Sequence, residues 1–113
     1  MARKITSGGS GSTLAFNTLN VDVTTSTDAV SGGIYWCNTT AGPLTLTLPP
    51  SPSTGDSIEL YDIANTFDTN SLTVNRNGQL IMGAAENMIV NTEGAAFNMV
   101  YYNITYGWRI LTV

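Results

Sequence analysis

The stretch Pro43-Leu44-Thr45-Leu46-Thr47-Leu48 decides the fold class, because leucine and threonine alternate in it without interruption. Successive side chains of a β-strand point to opposite faces, so the three leucines share an apolar face and the two threonines a polar one. The proline-rich residues 49–52 end the strand, because proline lacks the N–H that a sheet ladder needs. Alternation resumes after Gly55, where Ile58 and Leu60 are expected to point inward.

Similar short segments continue to the end of the chain, and each is bounded by turn residues. Asn77-Gly78 is a strong hairpin signal and predicts pairing of residues 72–76 with 79–82. Residues 88–90 and 96–102 form a second predicted strand pair. The spacing predicts an all-β fold, an antiparallel β-sandwich or barrel of about eight to ten short strands.

The first 12 residues differ from the rest and predict an extended N-terminal arm before a single β domain at 13–113. The arm joins a basic piece containing Arg3 and Lys4 to a Ser-Gly tract typical of flexible coil. All eight acidic residues follow it, so the arm is suited to reach a neighbouring acidic surface. A frayed terminus or an added linker is the alternative interpretation.

Composition argues against most catalytic classes, and we expect no enzyme and no cofactor. The 113 residues include no histidine, one cysteine and 12 charged side chains, with a net charge of −4. Imidazole-based triads and zinc sites are therefore excluded, and neither nucleic acid nor a membrane is an expected partner. Cys37, beside Trp36, is interpreted as a small buried apolar group. Oxygen-rich segments at 68–70 and 75–78 lack EF-hand spacing, so no metal site is predicted.

Carboxylates are the remaining acid-base groups, and three of them occur on one predicted strand. Asp56 and Asp62 share a face about 20 Å apart, whereas Glu59 faces the other side. Glycosidase pairs need roughly 5–10 Å, so we interpret these carboxylates as solvated or turn-capping groups. Four aromatic residues near the C-terminus are candidates for core packing, a subunit interface or a ligand face: Tyr101, Tyr102, Tyr106 and Trp108.

Several short motifs follow one another between residues 34 and 111: residues 35–40 (YWCNTT), 44–49 (LTLTLP), 53–58 (STGDSI), Asp62, 72–78 (LTVNRNG), 81–83 (IMG), Tyr101-Tyr102 and 107–109 (GWR). Because of the order of these motifs, residues 34–111 resemble a module of tailed-phage virion proteins, found in head decoration proteins and in tail fibres. This resemblance makes a cyanophage-like source the expected one. It implies a structural virion protein, most simply a capsid cement protein that binds between capsomers and stabilises the head.

The same resemblance implies a homotrimer on the capsid surface, made in the host cytoplasm and bound to the major capsid protein. The arm, with Arg3, Lys4 and Ile5, would then bind the capsid. The alternative is a tail-fibre or receptor-binding module that recognises a host surface glycan through exposed tyrosines.

Overall fold

The computed structural model describes residues 17–111, a range built of strands, turns and loops without helix. It contains nine strands: β1 (Leu19–Val23), β2 (Thr27–Asp28), β3 (Gly33–Cys37), β4 (Leu44–Thr47), β5 (Ser57–Asp62), β6 (Leu72–Asn75), β7 (Met88–Val90), β8 (Ala96–Tyr101) and β9 (Trp108–Leu111). Within this range no helix is long and apolar enough to cross a membrane. The predicted β-rich fold is confirmed.

The strands form two mixed sheets. Sheet A has the order β1-β3-β5-β8-β9, and sheet B has the order β2-β4-β6-β7. From β1 to β6 the chain changes sheet at every strand, and the pairs β1-β3, β3-β5, β2-β4 and β4-β6 are all parallel. Only β7, β8 and β9 add antiparallel pairs. The predicted antiparallel pairing is therefore wrong for the first six strands.

The connections between strands explain the difference. The prediction assumed that strands adjacent in sequence turn back on one another as hairpins. Instead, each connection from β1 to β6 carries the chain to the opposite sheet, where the next strand helps to cover the apolar face of the previous one. A strand that returns to its sheet after such an excursion runs parallel to its predecessor, as in other crossover connections.

Two predicted hairpin pairings are also wrong. Asn77 and Gly78 have φ angles of 49° and 90°, so the turn itself forms as predicted. The strand after this turn does not form, however, and β6 pairs with β7 instead of with residues 79–82. The strands β7 and β8 lie in different sheets and do not pair.

One hydrophobic cluster lies between the two sheets and takes side chains from both. Along β5, residues Ile58, Leu60 and Asp62 are buried while the residues between them are half-buried. From β4, Leu46 is buried and Leu44 is half-buried, and Leu48, which directly follows the strand, is buried as well, so the predicted apolar face is fully buried at two of its three leucines. Burying a leucine contributes about 1.5–3 kcal/mol, so this alternation is a main source of stability.

The boundary predicted between arm and domain cannot be compared with these strands. Residues 1–12, with the predicted capsid-binding residues Arg3, Lys4 and Ile5, lie outside the described residues. The division into an arm and a domain at 13–113 stays a prediction.

Candidate functional site

The structure divides the four predicted aromatic residues into two groups. Trp108 is fully buried and Tyr101 is 5% exposed, and their rings meet edge to face at 5.5 Å between centroids. The Tyr101 hydroxyl donates a hydrogen bond of 2.8 Å to Oε1 of Gln79. These two side chains belong to the core. Tyr102 and Tyr106 are each about half exposed and stack on one another at 5.9 Å, so only they are available to a partner.

The turn between β8 and β9 holds the two exposed tyrosines in place. Asn103 Oδ1 accepts hydrogen bonds from the backbone N–H groups of Thr105 and Tyr106, at 3.0 and 2.9 Å. An asparagine side chain that bonds the backbone in this way stabilises a tight turn. The N–H of Tyr102 also donates to the carbonyl of Gly107 at 3.0 Å, which closes the turn. Ile104, at its tip, is 76% exposed.

Gly107 is required at the base of this turn for two reasons. Its φ angle is +71°, in the left-handed region that side-chain-bearing residues rarely adopt. A Cβ at this position would also overlap the carbonyl oxygen of Leu80, which accepts a 2.8 Å hydrogen bond from the N–H of Trp108. The glycine thus allows the exposed turn to end directly before the buried Trp108.

Further exposed apolar side chains lie at the same end of sheet A as this turn. The loop that precedes β5 lies beside the turn, because Thr54 Oγ1 donates to the carbonyl of Tyr102 at 2.6 Å. The loop that precedes β3 lies beside the start of β5, because Gly32 N–H donates to the carbonyl of Ser57 at 2.8 Å. Five of the nine exposed large hydrophobic side chains within residues 17–111 lie at this end: Leu19, Val30, Tyr102, Ile104 and Tyr106. We call these five residues the apolar end. Clusters of this kind mark interaction surfaces in soluble proteins.

Asp62 lies at the opposite end of β5 and joins two loops. Its carboxylate accepts hydrogen bonds of 3.0 Å each from the N–H groups of Thr66, Phe67 and Gly94. Burial acts to raise the pKa of Asp62, but the backbone hydrogen bonds, of which Phe67's is the largest, outweigh it and hold the pKa below its ordinary value. A carboxylate held ionised in this way is a turn-capping group, as the spacing predicted.

Cys37 is fully buried, as predicted. Burial, and secondarily the charge of Asp62, raises the pKa of Cys37 to about 12. A thiol with this pKa forms almost no nucleophilic thiolate near neutral pH. The described range also contains no group of three Asp, Glu or Cys side chains that could hold a metal ion.

The outer face of sheet A contains an aromatic pair that sequence analysis did not single out. Trp36 and Tyr61 are adjacent in the β3-β5 register and stack at 4.7 Å between ring centroids. Trp36 Nε1 donates to Asn20 at 2.9 Å, and the Tyr61 hydroxyl donates to Glu59 at 2.7 Å. Both rings occur at the strand parity opposite to the buried residues, a signal that could have placed them on the outer face.

Comparison with known proteins gives no match: no family model fits the chain, and no curated protein sequence matches it. The resemblance of residues 34–111 to phage virion modules therefore stays a prediction. The fold and the site define a small strand-built protein with exposed apolar side chains concentrated at one end.

Proposed function

We propose that this chain is a structural protein that binds other protein subunits through its apolar end. The observation that carries the proposal is the concentration of five exposed large hydrophobic side chains there, with Ile104 at the tip. Only 11% of the residues are charged, so little charge has to be desolvated when such a surface is covered. Catalysis is not part of the proposed role.

The turn offers the features of an interface anchor. Tyrosines are enriched among the residues that dominate binding energy, and an exposed isoleucine gains about 1–2 kcal/mol when a partner covers it. The stacked rings of Tyr102 and Tyr106 and the bonds to Asn103 hold the turn in one shape. Less side-chain entropy is then lost on binding, which favours affinity.

The phage setting of the proposal rests on the resemblance of residues 34–111. We propose a capsid cement protein that binds the major capsid protein between capsomers, on the surface of a phage head. Copies would associate as a homotrimer after synthesis in the host cytoplasm. Added contact area across capsomer boundaries would stabilise the head against internal genome pressure.

Capsid sedimentation tests the proposal with a matched pair of substitutions. Ile104→Asp places a charge on the apolar end, and Ile63→Asp places one on another exposed isoleucine, 56% exposed, at the opposite end of β5. Purified capsids lacking the protein are incubated with each variant and sedimented. We expect Ile104→Asp to lose occupancy and Ile63→Asp to keep it. Equal occupancy of both variants, or none with the unaltered protein, would refute the proposal.

The exposed tyrosine pair favours one second candidate, a tail-fibre or receptor-binding module for a host glycan. Stacked, half-exposed Tyr102 and Tyr106 could pack against a sugar ring. A glycan array with Tyr106→Ala as the control tests this candidate. Trp108 is unsuitable as a control because it is fully buried, and its replacement would disturb the core.

A further inference from the structure

An apolar groove runs between the open edges of the two sheets. It has a volume of about 300 Å³ and is lined by residues of β7, β8 and β9 and of the β7-β8 connection, among them Met88, Phe97 and Ile110. Cavities of about 150 Å³ already hold a benzene-sized group, so this groove has room for an aliphatic side chain. Phe97 and Ile110 pack against the core, and Ile89 beside them is 55% exposed.

One wall of the groove is a sheet edge that is free to pair within the described range. β7 is the last strand of sheet B and has β6 on one side only. Edge strands offer unpaired backbone N–H and C=O groups and accept an additional extended segment. A segment that binds here would pair with β7 and direct an apolar side chain into the groove.

Acidic residues flank this edge on both sides. Glu86 precedes β7 by two residues and Glu93 follows it by three, and both are exposed. The chain contains four cations, of which Arg3 and Lys4 stand next to Ile5. Both cations precede Ile5, so a segment that places Ile5 in the groove brings them to one acidic end, and an acidic residue is present at that end in either strand direction.

The chain outside the described range is long enough to reach another molecule. Asn17 is held on the outer face of sheet A, where its side chain accepts a 2.8 Å hydrogen bond from Ser57 Oγ. Twelve residue steps separate Ile5 from Asn17, and an extended chain of that length spans about 40 Å. Sheet A, with five strands about 4.8 Å apart, is only about 19 Å wide.

We propose that the groove binds residues 2–6 of a second copy of this chain, with Ile5 in the groove and Arg3 and Lys4 near one of the two glutamates. A donor segment and an acceptor groove at different places on identical molecules form a head-to-tail contact, which can close into a ring. The proposal concerns contacts between copies and holds whether or not the chain binds a capsid.

Cross-linking between two single-cysteine variants tests it in the full chain. Thr6→Cys, which keeps Ile5, is mixed with Ile89→Cys, and a bismaleimide is added; the native Cys37 is fully buried. Because the two new thiols are on different chains, a product of doubled mass that needs both variants reports contact between copies. The matched control replaces Ile89→Cys by Asp28→Cys, an exposed position on β2 at the opposite edge of sheet B.

We expect a product between positions 6 and 89 and only background with Asp28→Cys. Reversing Glu86 and Glu93 together to lysine should reduce the product about two- to fivefold. Reversing Arg3 and Lys4 to glutamate as well should restore it. Equal products at positions 89 and 28, or a product that appears only when both cysteines are in one chain, would overturn the proposal.

Discussion

Replacing Asp62 with asparagine tests whether one buried carboxylate joins the two loops at its end of the fold. The side chain is 5% exposed, and its two oxygens accept three backbone hydrogen bonds, two from residues 66 and 67 and one from Gly94. Asparagine keeps the size of the side chain and one acceptor oxygen. Its amide group, however, would face backbone N–H donors and leave at least one of them without an acceptor.

The expected cost follows from this geometry. A hydrogen bond to a charged group contributes about 1.5–3 kcal/mol, and a buried donor left unpaired costs about 1–3 kcal/mol. We therefore expect Asp62→Asn to lower the free energy of unfolding by about 2–4 kcal/mol. Asp68→Asn is the matched control, because Asp68 is an exposed aspartate in the β5-β6 connection, one of the two loops that Asp62 binds. Its replacement should change the free energy of unfolding by less than about 0.5 kcal/mol.

The loss should also depend on pH in a defined direction. The pKa of Asp62 is lower in the folded protein than its ordinary value of 3.8, so its ionised form favours folding. This stability is present above pH 3.8 and is lost as the pH falls through the folded-state pKa. The difference between the unaltered protein and Asp62→Asn should therefore be full at pH 7 and should shrink below pH 3.8.

Urea denaturation followed by tryptophan fluorescence measures both effects. A loss of 2–4 kcal/mol should move the unfolding midpoint by roughly 1–3 M urea at pH 7. If Asp62→Asn and Asp68→Asn have the same midpoint, or if the difference between Asp62→Asn and the unaltered protein grows at low pH, the assignment of Asp62 as a loop-joining carboxylate is wrong.

Two further predictions concern the turn and the thiol. Gly107→Ala should lower the free energy of unfolding by about 2–4 kcal/mol, because residue 107 has a positive φ angle and the new Cβ would overlap the carbonyl of Leu80. The control is Gly78→Ala, where φ is +90° but the space around the new Cβ is open, so the loss of stability should be smaller. Thermal unfolding of both variants measures the difference. The pKa of Cys37 is raised from 9.0 to about 12, so the thiol should resist iodoacetamide at pH 8 in the folded protein and react when the protein is unfolded in urea. The contribution of the buried thiol to the free energy of unfolding should be complete below pH 9.0 and should decline as the pH rises toward 12. Rapid labelling of the folded protein would contradict the burial of Cys37.

The candidate site could be predicted from the sequence only in part. Aromatic residues near the C-terminus pointed to the correct region, but Tyr101 and Tyr102 are neighbours of which one is buried and the other exposed. Strand parity separates such a pair only when the end of the strand is known, and β8 ends at Tyr101. The groove depends on the chain path that brings residues of β8 and β9 beside β7, which no local pattern indicates.

Local alternation by itself determined that this protein is built of strands, which leucines are buried and where the Asn77-Gly78 turn lies, because side-chain direction and turn conformation depend on neighbouring residues. Sheet membership and strand direction were decided only by the tertiary structure. An alternating strand can pair with either neighbour in either direction and still bury the same face. The choice of β3 and β5 as parallel partners depends on connections that cross between the sheets, and their path is set by how the two apolar faces pack together.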